Sequence, residues 1–180
     1  MPTIFSHAVF SSALGAAYTS EPMPARFWVT AATCSVVADL DVVAFVFGIP
    51  YADLWGHRGF THSVLFSVVI GVMAAALVGR HVGKGFVSLG AFFSMAALTH
   101  PLLDALTNGG LGVALLAPLS SDRYFAPWRP IKVSPLGAGF FSWRGAQVLG
   151  SELMWVWAPA AAIALVGLLR RRWASQQRSR

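Results

Sequence analysis

Charge is what this 180-residue chain has least of. Asp, Glu, Lys and Arg make up 11% of it, against 56% hydrophobic residues and a mean hydropathy of +0.64. Soluble domains carry about 25% charged residues, and a fold this poor in charge has trouble covering its own surface. The composition therefore points to a membrane. Cysteine is nearly absent: Cys34 stands alone in an apolar stretch, so an intrachain disulfide is excluded and no thiolate cluster is on offer for a metal. Acidic residues number seven, and the only glutamates, Glu21 and Glu152, have no histidine close by in sequence. The His-Glu-x-x-His helix of a zinc peptidase is missing, which argues against that chemistry. No Lys or Arg precedes Arg26, so the positive start of a cleaved signal peptide is lacking and the N-terminus is expected to stay in the mature protein. No internal repeat or low-complexity tract occurs.

What is abundant is long apolar sequence. A spanning helix needs about 20 mostly apolar residues. Four stretches approach this: Phe27 to Gly48, Ser63 to Gly79, Phe86 to Leu106 and Ala146 to Leu169. Thr3 to Tyr18 is uncharged but short, and is expected to span a thin region or to enter only part way. Trp155 and Trp157 fit an interfacial aromatic belt, and Glu152 reads as an interfacial carboxylate. Thr19 to Arg26, with two prolines, reads as a turn, and Arg80 to Gly85 as a short loop. Thr107 to Gly145 is the one long connection and sustains no helical pattern. The fold class expected is an all-α membrane helix bundle in a single domain, residues 1–180.

The net charge of +6 and pI near 10.5 raise the question of nucleic acid. The positions answer it: Arg170, Arg171, Arg172, Arg178 and Arg180 follow directly on an apolar run, where the positive-inside rule places them. No nucleic-acid partner is expected. Grouping that tail with Arg26, Arg80 and Lys84 puts eight cations on one side, leaving Arg58, Arg123, Arg129, Lys132 and Arg144 on the other. The bias makes the C-terminus cytoplasmic.

Against that background the ionisable residues within apolar stretches stand out. A charged side chain in mid-helix costs about 2.5–3.5 kcal/mol on insertion scales, so such residues are functional candidates by default. On the expected topology, Asp39 and Asp41, His57 and His62, and His100 and Asp104 all fall near the outer face, with His7 joining them if the first stretch runs inward. His100 and Asp104 are four residues apart and share one helix face. His57 and His62 flank Gly59, which permits a tight turn, and Thr61 or Ser63 is placed to cap the next helix. Asp39 and Asp41 would diverge on a regular helix, one ligating and the other orienting a histidine. Imidazole nitrogen with carboxylate oxygen suits zinc, manganese or iron. Each piece alone reads as easily as a satisfied polar pair; the convergence is what points to a divalent metal.

The run Asp39-Leu-Asp41, His57-Arg-Gly-Phe-Thr-His62-Ser63 and Thr99-His100-Pro-Leu-Leu-Asp104 resembles the YdjM family of bacterial inner-membrane proteins. His7, Pro118-Leu-Ser-Ser-Asp-Arg-Tyr-Phe125 and Pro130-Ile131 fit the same pattern, over about Met1 to Pro135. The family is described as membrane-bound, metal-dependent hydrolases distantly related to zinc-dependent phospholipase C, its substrate generally unassigned. The resemblance implies a bacterial inner-membrane location and metal ligands at His7, Asp39, Asp41, His57, His62, His100 and Asp104.

The expected function is a metal-dependent hydrolase, zinc most readily, acting on a phosphoester such as a lipid. Asp39 or Asp41 would be the general base, and Arg58, Arg123, Arg129 and Lys132 would pair with phosphate, interfacial anchoring being the other use for these four. Transport of a metal, or a structural metal without hydrolysis, uses the same residues and stays open.

Overall fold

The computed structural model describes residues 1–135 and 137–178. It is all helical, with no strand among the described residues, and four of its helices are long and apolar enough to cross a membrane. α1 (Ile4–Tyr18) is the short apolar helix. α2 (Ala25–Val36) starts after the extended Pro24 and continues as a 3₁₀-helix over Val37–Phe47, so that one span covers Ala25–Phe47. It stops at Gly48, whose φ of 72° lies in the left-handed region that glycine tolerates best. α3 is Val64–Val82 and α4 is Phe86–Ala105. α5 (Trp143–Glu152) runs through a π-helical turn, Leu153–Trp157, into α6 (Ala158–Arg178).

Two boundaries differ from the sequence reading. α3 extends to Val82, so Arg80 and His81 form its last turn rather than a loop, where cations meet the helix dipole favourably. The last span is continuous from Trp143 to Gln177, 35 residues. At 1.5 Å per residue that is about 52 Å, longer than a hydrocarbon core of about 30 Å, so its basic end extends into water as helix. Arg180 of the expected basic tail lies outside the described residues.

α4 is the central helix, buried at Leu89, Phe92, Phe93, Ala96 and Ala97 and at both of its ionisable residues, His100 and Asp104. α3 lies closely along it. A Cβ at Gly71 would stand 2.1 Å from the Ser94 backbone nitrogen, so only glycine allows that approach. Phe27, Phe92, Phe93 and Tyr18 stack at one end of the bundle. That end also holds the Lys84–Glu21 ion pair (2.8 Å) and Arg171, whose Nε donates to the Thr19 carbonyl at 2.8 Å. The grouping of Lys84 with the C-terminal cations is therefore a feature of the fold. The opposite end carries the long connection, which folds back through isolated bridges Thr107–Ile131 and Val113–Tyr124 and buries Val113, Ala114 and Ile131 beside the polar cluster.

Candidate metal centre

Five pieces of chain deliver the cluster. The 3₁₀ stretch provides Asp39 and Asp41. The loop before α3 provides His57 and Arg58, a single 3₁₀ turn (Phe60–His62) provides His62, α4 provides His100 and Asp104, and α1 provides His7. Local sequence explains the turn: a Cβ at Gly59 would lie 2.1 Å from the Leu54 carbonyl oxygen, so the loop closes on itself only with glycine there. Of the two expected caps, Ser63 is the one used, its Oγ accepting from the Phe66 N–H at 3.0 Å. All seven expected ligand residues are buried.

Three of the four histidines have their orientation fixed from outside. His100 Nδ1 is 2.7 Å from the Ser35 carbonyl, which can only accept, so Nδ1 carries the proton and Nε2 is left facing inward. His57 Nδ1 donates to Asp41 Oδ1 at 2.6 Å, and His62 Nδ1 lies 3.0 Å from Asp41 Oδ2. Asp41 Oδ2 also accepts from the Arg58 N–H (3.1 Å) and the Thr61 hydroxyl (2.6 Å). An imidazole whose outer nitrogen is held by a carbonyl or carboxylate is the usual arrangement of a metal-ligating histidine. Burial alone would lower the pKa of His62. The carboxylates of Asp39 and Asp41 beside the ring outweigh it and raise the value from 6.5 to about 9.

Inside this ring the donors are uncommitted. Both carboxylate oxygens of Asp39, both of Asp104 and both ring nitrogens of His7 are buried with no hydrogen-bond partner. Burying such groups without a hydrogen bond costs about 1–3 kcal/mol each, more for charges; Arg58 offsets charge at Asp104, and the remaining donors ask for a cation. The contacts converge accordingly. Asp39 Oδ1 is 3.2 Å from His100 Nε2 and 3.7 Å from His62 Nε2. Asp104 is 3.6 Å from His62 Nε2 and 3.7 Å from His7 Nε2. The Nε2 atoms of His62 and His100 face each other at 3.1 Å, and the His7 and His100 rings stack at 3.8 Å. Three overlapping ligand sets result: His7, Asp39 and His100; Asp39, His57 and His62; His62, His100 and Asp104. Nitrogen and oxygen donors of this kind fit zinc, manganese or iron. The cluster is a possible metal-binding site.

Of the four cations expected to meet phosphate, Arg58 is part of the cluster and Arg123 holds the loop that carries it, while Arg129 and Lys132 make contacts elsewhere. Arg58 is fully buried: its Nε lies 2.8 Å from Asp104 Oδ2 without hydrogen-bond alignment, Nη1 donates to the Gly109 carbonyl and Nη2 to Thr107 Oγ1, each at 3.0 Å. It neutralises a cluster carboxylate instead of facing the bilayer surface, and does so at a φ of 62°. Arg123 is spent on the carbonyls of Tyr51, Asp53, His57 and Arg58, tying the loop together. Arg129 stacks on Phe125 at 4.7 Å, and Lys132 reaches Gln147 at 3.4 Å.

Sequence reasoning missed Glu152. Read as interfacial, it is fully buried, accepting from Thr3 N–H, Thr3 Oγ1 and Ser6 Oγ, all at 2.6 Å. Trp157 Nε1 also donates to Ser6 Oγ at 2.7 Å. The carboxylate caps the start of α1 from another helix and so fixes the helix that carries His7. The signal was present: an ionisable group in a spanning stretch is rarely idle.

The sequence matches the YdjM inner membrane protein family over residues 1–174. It is 39% identical over 175 residues to the Escherichia coli (strain K12) protein named Inner membrane protein YbcI, covering 96% of this chain and 100% of that one. No solved structure matches it. With its spans, its buried His/Asp cluster and this match over nearly its whole length, the chain belongs to the YdjM family of inner membrane proteins.

Proposed function

We propose that the protein is a membrane-embedded, metal-dependent hydrolase of a phosphoester, its site at the outer face of the inner membrane and its C-terminus in the cytoplasm. The observation that carries this reading is the buried cage in which Asp39 and Asp104 present four oxygens, none of them hydrogen-bonded, to the ring nitrogens of His7, His62 and His100. His57 completes the set with Asp39 and His62. When bound, a divalent ion supplies Lewis acidity, lowering the pKa of a water to about 7 and offsetting charge on the ester oxygens.

The chain's own residues divide the remaining work. Asp41 orients His57 and His62 and is spent on that task, whereas Asp39 has no hydrogen-bond partner and is the better general base. Arg58 pairs with Asp104 and holds it in place. A phospholipid is the natural substrate class for a site whose surroundings are apolar spans. The test is hydrolysis of phosphodiester and phospholipid substrates by purified protein supplied with zinc, manganese or iron. Activity that disappears with chelator and in Asp39→Asn supports the reading, and loss of neither overturns it.

One observation favours a second reading, a structural metal. All seven ligand residues are at most 8% exposed, and five cavities of about 210–500 Å³ among the described residues are lined by other side chains. Structural sites are closed and catalytic ones keep an open position. A protein that holds its metal, unfolds without it and cleaves no phosphoester would establish that alternative.

A further inference from the structure

Away from the metal centre, where the long connection meets the first turn of α5, lies a polar cavity of about 210 Å³ lined by Asn108, Lys132, Val133, Arg144, Gln147 and Val148. Its chemistry is one-sided. Asn108 Oδ1 already accepts from the Val133 N–H at 3.0 Å, which fixes the amide and leaves its NH₂ as the free end. Gln147 Oε1 faces Lys132 Nζ at 3.4 Å, so its NH₂ is likewise left over. Together with the ammonium and the Arg144 guanidinium, the cavity offers more donors than acceptors.

No carboxylate lines the cavity. The acids are engaged elsewhere: Asp39, Asp41 and Asp104 in the cluster, Glu152 with Thr3 and Ser6, and Glu21 with Lys84 at the other end of the bundle. Asp53 is turned to the Trp55 N–H, and Asp122 sits in the loop near Ser120. Two adjacent cations therefore lack a counter-charge. Arg144 is the second residue of the last span and follows the exposed Trp143, with Phe141 exposed just before it. Exposed aromatics at the end of a span sit at headgroup depth.

We infer that the Asn108–Lys132–Arg144–Gln147 cavity is a binding site for a phosphate group at the membrane interface, independent of the metal centre. Lys132 supplies a point charge, Arg144 a fork that can engage two phosphate oxygens, and the two amides direct hydrogen bonds to the same anion. The phosphate belongs either to an anionic phospholipid headgroup or to a soluble phosphate.

The test uses the full-length chain in neutral detergent, with phosphatidylglycerol, headgroup-free diacylglycerol and inorganic phosphate as probes, followed by native mass spectrometry. Retention of phosphatidylglycerol but not diacylglycerol, weakened at least about tenfold in the Lys132→Gln/Arg144→Gln double variant, supports the lipid form of the site. Binding of inorganic phosphate with the same dependence supports the soluble form. The inference is overturned if neither phosphate probe binds, or if the double variant binds both like the wild type. Should that variant fail to fold, Arg144→Gln alone decides: phosphate binding weaker than wild type upholds the site, and binding equal to wild type overturns it.

Discussion

Replacing Arg58 by Gln tests how the protein keeps carboxylates ionised inside an apolar bundle. The guanidinium and Asp104 are both fully buried, with Nε 2.8 Å from Oδ2, and the other guanidinium nitrogens are held by Gly109 and Thr107. Removing one member of a buried pair strands the other charge and costs about 3–5 kcal/mol, a large part of the roughly 5–15 kcal/mol that holds a domain together. The two lost hydrogen bonds are contained in that figure. Metal-free Arg58→Gln should therefore unfold at markedly lower denaturant or temperature in detergent, by about 3–5 kcal/mol. Arg58→Gln/Asp104→Asn should lose less than the sum of the single changes, because the second change removes the stranded charge. A saturating divalent metal should narrow the gap, since a cation beside Asp104 takes over the role of the guanidinium; at about 100 times its Kd a ligand adds about 2.7 kcal/mol. An unfolding midpoint for metal-free Arg58→Gln equal to wild type, or single-variant losses that simply add, would refute the reasoning.

Other outcomes follow from the same contacts. His62 is protonated in the metal-free protein up to about pH 9, so metal must displace its proton. Metal affinity, measured by competition with a chelator, should rise about tenfold per pH unit from pH 7 and level off near 9. The sign for metal-free stability is opposite. The raised pKa gives a contribution that is complete below the ordinary value of 6.5 and lost as pH rises through about 9, readable as a falling unfolding midpoint. Asp41→Asn should weaken metal binding by about 10–100-fold, the usual cost of losing an outer partner, because His57 and His62 lose the acceptor that fixes their tautomers. Glu152→Ala should cost several kcal/mol by stranding the Thr3 and Ser6 donors, whereas an unfolding free energy within about 0.5 kcal/mol of wild type would show that the α1 anchor lies elsewhere.

How much of this was legible in the sequence depended on whether a residue obeys a regular period. His100 and Asp104, four apart on α4, share a face as the helical repeat requires, and the spans were visible as apolar runs. The roles of Asp39 and Asp41 could be split into one ligating and one orienting carboxylate, but not assigned. The chain there leaves the α-helical repeat for a 3₁₀-helix, which changes which side chains share a face. Arg58 was read as pairing with phosphate or anchoring at the interface, and its contact with Asp104 was not foreseen. Its burial depends on Asp104, 46 positions further on, which no local pattern reveals. Glu152 escaped for a related reason: its partners Thr3 and Ser6 lie at the far end of the chain.

The most direct test of the account is elemental analysis of the detergent-purified protein beside folded His62→Ala and Asp104→Ala variants. About one or more equivalents of zinc, manganese or iron are expected in the wild type, with loss from both variants, because both residues border the same cage. No stoichiometric metal in the wild type after reconstitution, or full retention in both variants, would contradict it and leave the His/Asp cluster a polar network.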